Sequence, residues 1–214
     1  MRRFRDMFVK AMFAIVFFIL LISTASPISA ATFKGKVVDA DTKEPIEGAV
    51  VVAEWSGETT TPTATHSTLK DVKEVLTDKK GEWMIKGPKG GKIGNMKTII
   101  SVITGAYFTK RPRFYIFKPG YCPCPAVPGI KVCSQRMKPL GVDGEGETLE
   151  LPKLTNREDR LYAQGMTRPD FFLEMTADKQ KARRIKNFLR LLNQERRFLG
   201  LDEYPIGKEL ENEK

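Results

Sequence analysis

From Thr32 onward the chain sets short runs of alternating apolar and polar residues between turn formers, the period-two pattern of strands with one buried face. This spacing predicts a first strand over residues 32–38 and a second over 49–55, joined by a loop over 39–48 that holds Pro45 and Gly48. In the second run Ala49, Val51, Ala53 and Trp55 share one face, while Val50 and Val52 make the opposite face apolar near its start. A strand covered on both sides at one end is the expectation. The Thr-rich stretch over 56–70, with the single histidine His66, reads as a surface loop before a β-run over 72–77. Asp78 to Gly81 reads as a hairpin connection, because glycine tolerates the positive φ such turns need, and the run over 82–86 then points Trp83 and Ile85 at the core. Residues 87–95 carry Pro88 and four glycines and read as a flexible loop. Runs over 98–104, 114–118 and 147–151 complete a set of about seven strands.

Beyond Asn156 the period changes to that of a helix. Over 178–199, Ala182, Ile185, Phe188, Leu189, Leu192 and Leu199 fall on one stripe, with Arg183, Arg184, Lys186, Arg190, Arg196 and Arg197 on the rest of the surface. Thr176 or Asp178 is placed to cap its start, and Gly200 suits the position just past its end. The stripe is expected to dock on the strands or on a second helical segment over 157–164. The other reading is a basic amphipathic helix that contacts a membrane or partner.

The first thirty residues follow neither pattern. Arg2, Arg3, Arg5 and Lys10 precede a 12-residue apolar run from Ala11 to Ile22 and then a small-residue stretch, the three zones of a signal peptide with cleavage near Ala30 or Ala31. A run of that length falls well short of the roughly 20 residues that span a bilayer, so an uncleaved inner-membrane anchor is the lesser alternative. Removing residues 1–30 deletes four basic side chains and one acidic one, taking the net charge from +10 to +7. The organisation expected is a leader over 1–30, a β-domain over 31–153 and a helical extension over 154–214, exported to the periplasm or outside the cell. A basic surface there favours an envelope component, an anionic glycan or a protein partner; export argues against nucleic acid. Membrane contact is expected only through an uncleaved leader or the C-terminal helix.

The segment F-K-G-K-V-V-D-A-D-T-K-E-P-I-E-G-A-V-V-V-A-E-W over 33–55 and L-T-D-K-K-G-E-W over 76–83 resemble the carboxypeptidase regulatory-like domain of exported bacterial proteins, over roughly 33–151. The resemblance implies a mainly β protein, a transthyretin-like or Ig-like antiparallel sandwich with a C-terminal α-helical extension. It also implies that Phe117 to Tyr121 closes a late strand. Domains of this family usually accompany other modules and assist folding or contact.

The candidate chemistry is sparse. Cys122, Cys124 and Cys133 lie in one Pro-rich stretch, C-P-C-P-A-V-P-G-I-K-V-C, and in an exported chain one bridge is expected. Cys122 and Cys124 are awkwardly placed to join across Pro123, so Cys133 pairs with one of them and leaves the other outside the bridge. The sharper alternative gathers His66, Cys122, Cys124 and Cys133 into a zinc site, although the usual C-x₂₋₄-C spacing is missing. One histidine is too few for the transthyretin-like hydrolases that act on hydroxyisourate, which use several with an arginine. It is also too few for metallocarboxypeptidases, which bind zinc through two histidines and a glutamate. No G-x-S-x-G elbow or P-loop is present. Trp55, Trp83, Tyr115 and Tyr121 are candidate sugar-stacking aromatics beside a core role. Tyr107 and Phe108 precede Lys110, Arg111 and Arg113 in a basic loop suited to an anionic glycan or lipid surface. The expectation is a non-catalytic binding, scaffold or structural module of the envelope that needs no cofactor. A small envelope hydrolase on the same sandwich and a metal-binding module are the alternatives.

Overall fold

A computed structural model describes residues 31–60, 65–88, 112–137 and 145–213. Six strands fall in these residues: β1 Thr32–Asp39, β2 Val50–Thr60, β3 Thr65–Leu76, β4 Glu82–Lys86, β5 Arg113–Phe117 and β6 Glu145–Leu151. They form two three-stranded sheets, ordered β4-β1-β6 and β3-β2-β5. The expected β-run over 98–104 lies outside the described residues, as do most of the loop over 87–95 and the leader over 1–30. The sheets face each other across a shared core in which Val37, Trp83, Ile85 and Leu151 of the first meet Val51, Ala53, Trp55 and Ile116 of the second. Alternation places these residues inward, so the two-sheet arrangement follows from the sequence pattern.

Three expectations are corrected. The sheets are not wholly antiparallel: β1 pairs antiparallel with β4 but parallel with β6. A parallel neighbour needs no tight turn, and here about half of the chain intervenes between the two strands. Helices also match the strands in prominence, so the described residues are mixed rather than mainly β. Of the stretch over 56–70, residues 56–60 and 65–70 are strand rather than loop, since β2 and β3 pair through them in an antiparallel ladder with an irregularity between Trp55 and Ser56. Its threonines favour extended backbone, although its polar composition carries no apolar alternation to mark it in the sequence.

Asp78 to Gly81 does not close a hairpin either, because β3 and β4 belong to different sheets. It is an arch: Asp78 Oδ1 accepts from the amides of Lys80 (2.8 Å) and Glu82 (2.9 Å), and the Val37 amide donates to Gly81 O at 2.8 Å. Gly81 has φ +73°, as expected, and a Cβ there would meet Val37 O at 2.3 Å.

The remaining elements are helical: α1 Lys131–Arg136, α2 Arg157–Met166, α3 Phe172–Thr176, α4 Lys179–Ala182, α5 Lys186–Leu199 and α6 Pro205–Glu211. The helix expected over 178–199 is broken by a 3₁₀ turn at Arg183–Ile185, although every residue of its apolar stripe is buried. Asp178 caps α4 by accepting from the Gln180 amide at 2.8 Å. Thr176 does not act as a cap and instead donates to Phe172 O at 2.8 Å. The start of α5 is capped from a distance by Glu74 of β3, whose carboxylate accepts from the amides of Asn187 (2.7 Å) and Phe188 (2.9 Å). At its end Gly200 takes φ +72°, as its sequence position predicts.

This helical layer covers the outer face of the β3-β2-β5 sheet. Val50, Val52 and Phe117 form a second core there with Phe171, Phe188 and Leu192. Three of the arginines expected on the basic surface are paired: Arg183 of the 3₁₀ turn with Glu213, Arg184 of the same turn with Asp71, and Arg197 of α5 with Glu203 and Glu211. With its apolar stripe inside, α5 is packed against the β3-β2-β5 sheet.

Candidate functional site

Two short loops meet over β5 and leave a cleft between them. One is the cysteine loop, which begins after the turn at Gly120. Its first residue, Tyr121, donates to Asp39 Oδ2 at 3.1 Å, and Lys153 Nζ lies 3.4 Å from the same oxygen. Burial works against the Asp39 carboxylate. The amides of Thr42 and Asp41, the Tyr121 hydroxyl and Lys153 outweigh it, holding its pKa at about 2. Past Tyr121 the Cys122 amide donates to Pro152 O at 2.9 Å, and Cys124 exchanges two backbone bonds with Ile116 of β5 at 2.8 and 2.9 Å. A disulfide then ties Cys122 to Cys133 in α1. Pro123, Pro125 and Pro128 fix φ between these anchors and present no amide donors.

The opposite wall is the link from α2 to α3, Met166 to Pro169. Thr167 holds it by donating its hydroxyl to Ala163 O at 2.6 Å and its amide to the same oxygen at 2.9 Å. Tyr115 to Phe117 of β5 and the fully buried Phe188 of α5 complete a cavity of about 200 Å³. Its lining is apolar apart from Tyr115, Thr167, Arg168 and the buried Cys124.

The electrostatics are one-sided. Arg168 is exposed beside the cleft with its guanidinium 6.0 Å from the Tyr204 ring centroid. No carboxylate among the described residues lies within ion-pair distance of it. Burial pushes the Tyr115 phenol above its usual range, and the nearby Glu54 carboxylate adds to this, so the phenol remains neutral. Glu54 is buried on β2 and accepts from Arg113 Nη2 at 3.0 Å through Oε1, while its Oε2 has no hydrogen-bond partner. Arg113 also donates to Asp170 Oδ2 at 3.1 Å, which ties β5 to the start of the α3 region.

Several residues singled out from the sequence take different places. Cys133 does pair with one of its two neighbours, and Cys124 stays outside the bridge as a buried lining residue. The disulfide removes two of the four sulfur and nitrogen ligands proposed for zinc, and the described residues contain no group of three or more metal-ligating side chains. His66 lies in β3, opposite Thr59. Tyr107, Phe108, Lys110 and Arg111 lie outside the described residues. Arg113 is not in a loop but opens β5 and is committed to two carboxylates. Trp55 and Trp83 are buried in the sandwich core, so they offer no sugar platform.

Sequence reasoning missed Arg168 and the α2–α3 link. The local signal was Thr167-Arg168-Pro169-Asp170, where proline breaks a helical pattern. Nothing in one dimension pairs that break with a loop more than forty residues away.

No family model matches the chain, and no curated protein matches it. Among solved structures it overlaps catechol 1,2-dioxygenase from Acinetobacter sp. ADP1 inhibited by bound mercury, at 15% identity and TM-score 0.26, over 47% of this chain and 36% of that one. It also overlaps a 9R-lipoxygenase from Cyanothece PCC8801, at 13% identity and TM-score 0.29, over 82% of this chain and 25% of that one. The chain thus spans about a third and a quarter of the lengths of these two proteins, and superpositions this loose assign it neither fold nor chemistry.

Proposed function

We propose that the protein is an exported, non-catalytic binding module of the cell envelope, related to the carboxypeptidase regulatory-like domains, and that it binds through the cleft between the cysteine loop and the α2–α3 link. The observation that carries this reading is the composition of the cleft. Its walls are held by a disulfide, three prolines and a short ladder, a preorganised arrangement that limits the ordering cost of binding. Its lining has no carboxylate or imidazole to move a proton, which favours retention of a ligand over acid–base turnover. The Cys122–Cys133 bridge supports residence in an oxidising compartment.

The test of export is fractionation of expressing cells with thiols trapped at lysis. The reading expects a leaderless, disulfide-bonded chain outside the cytosol. A full-length, fully reduced chain in the cytosol would refute it. The test of the cleft is an NMR screen of the purified protein against small apolar fragments, with perturbed amides expected at Ala126, Val127 and Thr167. Fragments that bind only elsewhere would remove the cleft from the proposal.

A further inference from the structure

The size and one-sided charge of the cleft narrow what it takes. We infer that it binds a small acid, a single apolar ring or its equivalent bearing one carboxylate, with the ring between Tyr115 and the Pro125–Ala126 side of the cysteine loop and the carboxylate on Arg168. This deepens the proposed binding role and rests on the cleft being its site.

Volume sets the apolar part. An engineered apolar cavity of about 150 Å³ takes benzene, so a cavity of about 200 Å³ has room for one ring and a short substituent and not for a chain of sugars. The Phe188 side chain is fully buried and Phe117 nearly so, and together they close the inner end of the cleft with apolar groups. Val127, Pro125 and Pro128 form the facing side and add no hydrogen-bond donor from a proline nitrogen.

Charge sets the polar part. Most arginines with described partners on this surface are spent on carboxylates: Arg113 on Glu54 and Asp170, Arg160 on Glu195, Arg197 on Glu203 and Glu211. Arg168 differs in lining the cavity with no such partner among the described residues. Its planar fork matches a carboxylate in two parallel bonds, and its backbone is held by the Arg168 amide donating to Met166 O at 2.9 Å. Tyr115, also in the lining, stays a neutral phenol beside the Glu54 carboxylate and adds no charge of its own. A cation has nothing to meet here, since no carboxylate lines the cavity.

The experiment titrates the purified protein with phenylacetate and with its neutral counterpart phenylacetamide, followed by amide NMR. Phenylacetate is expected to bind at least tenfold more tightly, with shifts at Ala126, Val127 and Thr167. The variant Arg168→Met should bring the two probes to within about twofold while phenylacetamide binding is unchanged, and Arg168→Lys should keep part of the preference. Arg168 is exposed, so both variants should retain the dispersed spectrum of the parent. Equal binding of the two probes by the parent would overturn the acid-selective inference and leave cleft binding intact. Unchanged selectivity in Arg168→Met would overturn the assignment to Arg168. Absence of cleft shifts with either probe would overturn both the inference and the binding role on which it rests.

Discussion

Replacing Glu74 tests whether β3 holds the helical layer in place. Its carboxylate accepts from two first-turn amides of α5, at 2.7 and 2.9 Å, across 113 residues of sequence. Ile185, at the N-cap position of that helix, provides no side-chain cap, so the distant carboxylate stands in for a local one. Burial raises the Glu74 pKa above 4.5, and the bonds from Asn187 and Phe188 offset this only in part. The two effects separate two variants. Glu74→Ala strips both amides of their acceptor in a half-buried setting, and at about 1 to 3 kcal/mol per unsatisfied group it should cost about 2 to 3 kcal/mol in all. Glu74→Gln keeps the shape and one carbonyl acceptor and avoids burying a charge, so it should cost less than about 1 kcal/mol at neutral pH. Urea unfolding of the purified protein measures both, read from midpoints at constant slope. The pH dependence has a fixed sign. A group whose pKa is raised by folding stabilises fully below 4.5 and loses that contribution as pH climbs through the folded value, so the parent should gain on Glu74→Gln as pH falls through this window. A loss below 1 kcal/mol for the alanine variant, or equal losses for both, would refute the capping argument.

Three further outcomes follow from other contacts. Asp39 has a folded pKa of about 2 against 3.8, so its stabilisation is complete above pH 3.8 and fades as the pH falls toward 2. Acid unfolding of Asp39→Asn should be flatter over that span, and an identical profile would show that its hydrogen bonds do not matter to the fold. Converting both Cys122 and Cys133 to alanine opens a bridge of sequence separation 11 and should cost about 3 kcal/mol in urea unfolding by loop entropy. A cost under 1 kcal/mol would mean that the Ile116–Cys124 ladder alone anchors the loop. Gln164 is fully buried on α2 with neither amide atom hydrogen-bonded, so Gln164→Leu should raise stability by about 1 kcal/mol. A drop in the melting temperature would show that the amide has partners in solution.

The sequence was most informative where one side chain has one task. Alternation placed Val51, Ala53 and Trp55 on one face and Val50 and Val52 on the other, and both faces are buried, each in a different core. The stripe from Ala182 to Leu199 survived a break in the helix because the turn at Ile185 preserves which side faces inward. Topology was less legible. An Asp-to-Gly turn serves a hairpin and an arch equally well, and what distinguishes them at Gly81 is the bond from Val37, far back in the chain. The polar hairpin end of β2 and β3 reads as a loop because its Thr-rich sequence has no apolar alternation, while backbone pairing makes it a ladder. The cleft was half visible: the proline and cysteine spacing marked one wall, while Arg168 became meaningful only when folding brought α2 and α3 over β5.

The two-sided character of β2 ties the ends of the polypeptide together in time. A ribbon near the start of the described chain is sealed above by residues that run as far as Ala163 and below by residues that run as far as Leu210. Until those last turns emerge from whatever ribosome or channel delivers them, Val50, Val52 and Phe117 stay wet. Any product truncated before α5 would present this sticky strip to other molecules, which makes the segment from Phe171 to Leu210 a condition for solubility as much as a part of the architecture.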